Sequence, residues 1–316
     1  MIIHPMNRVV TPQNLPDGIA RLTDLGVIRV DGADAASFLQ GQLTQDFVLL
    51  KENEARLAAF CSAKGRMQAS FIGFKGLEGE ILLICNKQIL PATLKRLSMF
   101  VMRAKAKLTD SSADFSLFGL AGTAVKAAGF SADTPWQCHQ IGPATGVSLY
   151  PAKSVPRALW VIASDGPAPQ GESCTEEQWR WGEVQSGVAT INLKTVDAFV
   201  PQMLNYESVG GVNFKKGCYP GQEVVARSQF RGTLKRRAYL VHADLPMSAG
   251  DAVFGVNDAE QACGMVAQAA TSAFDGFDAI VSMQVSAAAA GGLTLRAADG
   301  AALVLQPLPY DLLEDI

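Results

Sequence analysis

FKKGCYPGQEVVAR, residues 214–227, sets two lysines before a lone cysteine, adds a Tyr-Pro-Gly turn and runs into an apolar segment ending in arginine. Pro220-Gly221 signals a turn, and QEVVARSQF reads as a helix that Gly232 can end. Cys218 then lies near a helix N-terminus with Lys215 and Lys216 alongside, and both features favour a thiolate. Gly217 lets the backbone approach a ligand. The bland alternative is a small buried hydrophobe, the fate of most free cysteines. A papain-type nucleophile is not indicated, because neither His139 nor His242 lies in a supporting motif. Seven basic residues between 207 and 237, against Glu207 and Glu223, make this the densest positive stretch of the chain.

Outward from this stretch, 316 residues exceed what one hydrophobic core organises, so two or three domains are expected. With 48% hydrophobic and 18% charged residues the chain is globular. Its net charge of −3 hides an asymmetry: residues 238–316 carry one basic and ten acidic residues (net −9), and residues 1–237 carry 26 basic and 20 acidic (net +6). That shift marks a domain boundary near 235, and a basic body suggests an anionic partner. Six scattered cysteines without a CxxC fit free thiols in a reduced compartment. Histidines 4, 139 and 242 give no metal-ligand spacing, so no metal site is expected. No apolar run approaches the roughly 20 residues of a membrane span, and the N-terminus lacks a signal-peptide pattern. A cytoplasmic, soluble monomer is expected, with no membrane partner.

Patterning predicts an α+β protein. GVIRV (26–30) is a strand, Asp34 caps a helix starting AASFLQ, and LAAFCS, MQASFIGF and EILLIC are strands with Lys64-Gly65 as a hairpin turn. Residues 88–103 have helical spacing and finish in cations. FSLFGLAG and ALWVIAS open a second α/β unit, and Thr175 starts a T-E-E-Q capping box ahead of a helix through WRWGEVQSG. After residue 236 come short alternating runs, the signature of a small antiparallel barrel, with Ala287–Gly292 as a loop.

Four segments carry a resemblance: FKKGCYPGQEVVAR, FLQGQLTQD (38–46), CSAKGRM (61–67) and QPLPYDL (306–312). Together they resemble the YgfZ family of folate-binding, tRNA-modifying proteins, itself related to the aminomethyltransferase (T-protein) of the glycine cleavage system. The resemblance runs from about residue 19 to 314; the KGC-aromatic-x-GQE segment is highly specific and the others are individually weak. It implies two aminomethyltransferase-type α/β subdomains within 1–235, split near 110, and a C-terminal β-barrel at 236–316, in a ring around a central channel. It also implies tetrahydrofolate or a one-carbon derivative as ligand, support of iron–sulfur enzymes including those that methylthiolate tRNA, and a link to replication initiation.

Residue by residue, Lys216 and Cys218 match the motif positions on which family activity depends and are the candidate catalytic pair. Trp179 matches a tryptophan that packs on folate; Leu25 stands where a second one is expected. Gln185 matches the carboxylate that T-proteins direct at the pterin, and an amide can still hydrogen-bond there without acting as a base. Tyr219, Arg227 and Arg231 complete the candidate folate contacts, the arginines as a cradle for a polyglutamate tail. T-proteins carry an acidic residue where this chain has Gln68-Ala69-Ser70, so glycine-cleavage aminomethyl transfer, the alternative function, is not expected. Aromatic residues are sparse along the basic run 227–237, so base stacking and direct tRNA contact are not expected either. The residues leave open which reaction is catalysed, if any: transfer of a one-carbon unit, of sulfur or of a cluster.

Overall fold

The computed structural model describes residues 15–230, 234–256, 258 and 260–313. The chain begins with β1 (Gly18–Arg21) and passes at once to β2 (Leu25–Asp31), helix α1 (Ala35–Gln40), β3 (Ala55–Cys61), β4 (Met67–Lys75), β5 (Ile81–Asn86), α2 (Leu90–Ser98) and β6 (Lys107–Asp110). The second unit comprises β7 (Phe115–Ala121), α3 (Thr123–Ala127), β8 (Cys138–Ile141), β9 (Ala144–Ala152), β10 (Val155–Ala163) and α4 (Glu176–Gln185). A connecting stretch with a 3-10 turn at Pro201–Leu204 leads to α5 (Gln222–Phe230). The C-terminal unit contains β11 (Arg236–Ala243), β12 (Ala252–Phe254), β13 (Gly264–Thr271), β14 (Phe277–Gln284), α6 (Val285–Ala290), β15 (Thr294–Leu295) and β16 (Val304–Gln306).

The strands form three antiparallel sheets, ordered β3-β4-β5-β2-β6, β1-β7-β10-β9-β8 and β15-β12-β13-β14-β11-β16. β1 pairs with β7 in register Gly18–Ala121, so the first strand completes the second unit's sheet before the chain crosses to its own. One core cluster contains residues of the first sheet (Phe60, Met67, Leu83), of α4 in the second unit (Val184), of the connecting stretch (Tyr206, Tyr219) and of the C-terminal sheet (Leu240, Ile280). The connecting stretch therefore joins all three units.

Most expected elements form, and four details differ. The carboxylate of Asp34 caps nothing in α1; its Oδ2 accepts the Lys105 N–H at 2.7 Å, fastening a distant loop instead. Helix α2 stops at Ser98, not 103, because Met99, Phe100 and Met102 beyond it are exposed and no apolar face remains to bury. Residues 285–290 are helix α6 and not a loop, which suits alanine, the strongest helix former, with Gly291 at φ +70° ending it. The C-terminal sheet curls into a half-barrel: its edge strands β15 and β16 do not pair with each other, so hydrogen bonding leaves it open.

Candidate functional site

Three of the segments singled out in the sequence meet at one junction. Helix α1 ends with carbonyls that have no intrahelical partner. Lys216 Nζ donates to two acceptors there, Gln40 O and, at 2.7 Å, Leu43 O, and sits 4.7 Å from the Tyr219 ring centroid. Next in sequence, Thr44 Oγ1 donates to Gly211 O (2.6 Å) and accepts from Ala59 N (2.8 Å), and Gln45 Nε2 donates to Gly210 O (2.7 Å). The β3–β4 hairpin closes the third side. Gly221, at φ +80°, is so tight against it that a Cβ would fall 2.4 Å from Ser62 O and 2.7 Å from Gly65. Lys216 is thus turned inward and buried, and burial pushes its ammonium down to about 8 against the pull of Asp46 and Cys218. Cys218 and Lys215 are exposed at the outer face of this loop. The other five cysteines are buried, and burial pushes Cys61, Cys85 and Cys138 up to about 12.

A separate cavity lies where the first two sheets face each other. Its wall takes Leu25 from β2, Ser70 and Phe71 from β4, Tyr150 from β9, Arg157 from β10, Glu183 from α4, and Trp136 and Tyr206 from connecting segments. The free volume is about 60 Å³, several water molecules by a measure in which one needs roughly 10–15 Å³. Most of the lining is apolar or aromatic, yet it includes two oppositely charged groups. Arg157 is 3% exposed, its guanidinium lies 4.2 Å over the Trp179 ring, and its Nε has no hydrogen-bond partner. Burial pushes it down to about 10. Glu183 is pushed up to about 7, burial outweighing the opposing field of Arg157. Ser70, the last residue of the Gln68-Ala69-Ser70 segment, accepts the Ile191 N–H through Oγ at 2.9 Å.

The remaining sequence-derived candidates divide between these places and others. Leu25 lines the cavity and Tyr219 underlies Lys216. Trp179 is 2% exposed and lies behind Arg157, fitted against Gly119; its N–H makes no hydrogen bond of normal geometry. Gln185 is outside the cavity wall, donating to Asp278 Oδ2 at 2.9 Å. Arg227 pairs with Glu223 and lines a basic surface groove with Lys235 and Arg236. Arg231 lies outside the described residues. Neither Lys216 nor Cys218 lines the cavity.

Glu183 and Gln185 diverge because residues two apart on a helix point about 200° apart. On Gln185's side, Asp278 is 1% exposed and also accepts from Trp181 Nε1 (2.6 Å), His242 Nδ1 (2.8 Å) and Gln306 Nε2 (3.0 Å). This network fastens α4 to the C-terminal sheet. Glu183, Arg157, Trp136, Tyr150 and Tyr206 escaped the sequence reading. Arg157 had a readable signal, since it is the one charge in the otherwise apolar strand VPRALWVIA. No cluster of three or more His, Cys, Asp or Glu suited to a metal occurs among the described residues. Nor is any helix there long and apolar enough to cross a membrane.

No family model matches the sequence. The chain is 32% identical over 239 residues to the tRNA-modifying protein YgfZ of Hamiltonella defensa, covering 72% of this chain and 70% of that protein. It is 30% identical over 323 residues to the tRNA-modifying protein YgfZ of Yersinia enterocolitica, covering 97% and 96%. The structure superposes on the glycine cleavage system aminomethyltransferase T from Bartonella henselae with a TM-score of 0.68 at 16% identity, over 94% of this chain and 87% of that one. That likeness concerns the fold. At 32% identity over 72% of the chain and 30% over 97% of it to proteins of one name, the chain belongs to the YgfZ family.

Proposed function

We propose that this chain is a folate-binding protein that supports tRNA modification, holding tetrahydrofolate in the cavity between the first two sheets. One observation carries the reading. A buried guanidinium with an unpartnered N–H and a carboxyl raised toward neutrality face one aromatic-walled space. Native interiors rarely leave such groups unbonded, and perturbed charges in a cleft are a mark of function.

The lining suits a flat heterocycle. Trp136, Tyr150 and Phe71 supply ring faces, and Arg157, Glu183 and Ser70 supply polar edges. When bound, tetrahydrofolate supplies a carrier for a one-carbon unit. A bicyclic ring needs more than the present volume, so binding parts the walls, within the side-chain adjustments common on ligand entry. Trp179 contributes from behind, holding Arg157 in place. The segment Gln68-Ala69-Ser70 offers no carboxylate, which argues against aminomethyl transfer, since neither an amide nor a hydroxyl can serve as the base.

The thiol belongs to a different task. Cys218 is exposed and outside the cavity wall, so it faces a macromolecular partner or a sulfur species and not the bound carbon unit. The names of the relatives favour a tRNA-modification pathway, and support of iron–sulfur enzymes that methylthiolate tRNA is the form we favour. Complementation of a deletion strain by wild type and by Cys218→Ala, read as methylthiolated tRNA, tests this part. Equal restoration by both removes the thiol from the proposal. Quenching of intrinsic fluorescence by tetrahydrofolate tests the cavity, and no saturable quenching removes the folate.

A further inference from the structure

Helix α2 turns one row of residues into the core and a second row outward. Leu90, Thr93 and Leu97 are buried, whereas Ala92, Lys95, Arg96 and Met99 follow the i, i+3, i+4, i+7 spacing of one exposed face. With Leu193 and Val196 of the connecting stretch they line a surface groove of about 420 Å³. Its apolar side chains are open to solvent: Met99 is 70% exposed, Leu193 64%, and Met102, just past the helix end, 87%. Single exposed apolar residues are ordinary, but several around one groove mark an interaction surface. Methionine adapts to irregular partners and is enriched in interfaces.

Charge narrows the choice of partner. Lys95 and Arg96 line the groove, and Arg103 and Lys194 follow closely in the chain. All four are exposed, and none forms an ion pair among the described residues. Asp197, beside Val196, is already engaged, accepting from Gln68 Nε2 at 3.3 Å. Unpaired cations around an apolar strip are complemented by carboxylates that flank apolar anchors. Residues 1–14 of the chain itself do not meet this need, since they contain Arg8 and no Asp or Glu. Nucleic acid fits poorly too, because Phe60, the one ring in the lining, is 1% exposed and gives bases nothing to stack on.

We propose that this groove docks an acidic amphipathic helix of a partner protein. Its lining follows α2 from Gln88 to Met99, and a second helix packs along such a face. Apolar side chains of the partner enter between Met99, Leu193 and Val196, and flanking Asp or Glu residues meet Lys95, Arg96, Arg103 and Lys194. The docking goes beyond the folate reading and does not rest on it, since no residue of the groove lines the cavity. It does adjoin the thiol loop. Phe60 and Gln68 of the groove belong to the β3–β4 hairpin, whose Ser62 and Gly65 lie against Gly221. A helix seated here is therefore next to the hairpin that braces the Cys218 loop.

The experiment selects random displayed peptides, about four helical turns long, against the full chain. Enriched sequences are then synthesised with a fluorescent label and titrated by anisotropy. The expected consensus sets Leu, Ile, Phe or Met at i, i+3 and i+4 among Asp and Glu. Met99→Ser combined with Leu193→Ser should weaken the selected peptide about 10-fold or more. Lys95→Glu combined with Arg96→Glu should weaken it about 10-fold at low salt, and the difference from wild type should shrink as salt rises. All four positions are exposed, and circular dichroism with a thermal midpoint confirms that both double variants fold. A selection that yields no consensus or a basic one overturns the proposal, as do peptides that bind both double variants as well as wild type. A dimer in sedimentation that Met99→Ser with Leu193→Ser abolishes also overturns it and gives the groove to a second copy. Binding of phosphatidylserine vesicles or of tRNA, lost in Lys95→Glu with Arg96→Glu while no peptide binds, overturns it in favour of a membrane or an RNA.

Discussion

The thiol loop and the cavity treat polar groups in opposite ways. At the loop every anchoring group is matched: Lys216 has two carbonyls, Thr44 and Gln45 hold the 210–211 backbone, and only Cys218 and Lys215 are left outside. In the cavity Arg157 Nε is held inside without a hydrogen-bond partner, and Glu183 lines the same wall without an ion pair to it. Residues of the loop motif thus build a platform that presents one sulfur, whereas the cavity keeps its binding capacity for a guest. Mutations in the two regions should therefore differ in sign: loss of stability at the loop, and gain of stability with loss of binding in the cavity.

The largest effect is expected at the tightest packing of the loop. In Gly221→Val a side chain must occupy space 2.4 Å from Ser62 O while the backbone holds φ +80°. A loss of about 3 kcal/mol or more follows, read as a lower denaturant midpoint. A midpoint equal to wild type would show that the hairpin and loop do not depend on one another. Next comes Lys216→Met, which keeps the stem and leaves Gln40 O and Leu43 O without their donor. It should cost about 1–3 kcal/mol and leave folate affinity unchanged. A variant of full stability that loses only thiol reactivity would return Lys216 to a purely catalytic role.

Cavity mutations test the other half of the contrast. Glu183 has a folded pKa, about 7, above its unfolded value, so the folded state binds the extra proton between the two. Its ionisation then subtracts stability as pH rises through that window, and nothing is lost below it. Glu183→Gln should be more stable than wild type by about 1–2 kcal/mol on the alkaline side, and the difference should vanish near pH 4. Stability lost in this variant at all pH values would mean that the carboxyl is structurally paired after all.

How much of this was readable beforehand depended on whether a feature is local. The capping box at Thr175–Gln178, the Lys64-Gly65 turn and the helix after Pro220-Gly221 follow from short-range chemistry and stood in the sequence. The junction of residues 38–46, 61–67 and 210–224 was only half legible: its segments could be named but not seen to touch, because their contacts span more than 150 residues. The cavity was least legible. Trp179 and Gln185 were reasonable candidates by position, but which face of α4 meets which sheet is set by tertiary packing, and that choice brought Glu183 to the cavity instead. Likewise β1 joins the second sheet by a crossing that no local pattern announces.

The smallest expected change in stability belongs to the residue with the greatest claimed function. Cys218 is exposed, and a Cβ built at its neighbour Gly217 meets nothing within 4 Å, so this part of the loop has no packing to lose. Cys218→Ala should shift stability by less than about 0.5 kcal/mol, as for other surface positions. Accessibility also orders the six thiols. Iodoacetamide should modify Cys218 first, with Cys61, Cys85, Cys138, Cys174 and Cys263 protected until the chain opens. Mass mapping of labelled peptides after short exposure reads both claims, since Cys218→Ala should then take up no label while folded. Early labelling of a buried cysteine would show that the core around it opens readily. A Cys218 that resists the reagent while unfolded chains react would mean that the loop closes over its sulfur, and the platform would then present nothing to a partner.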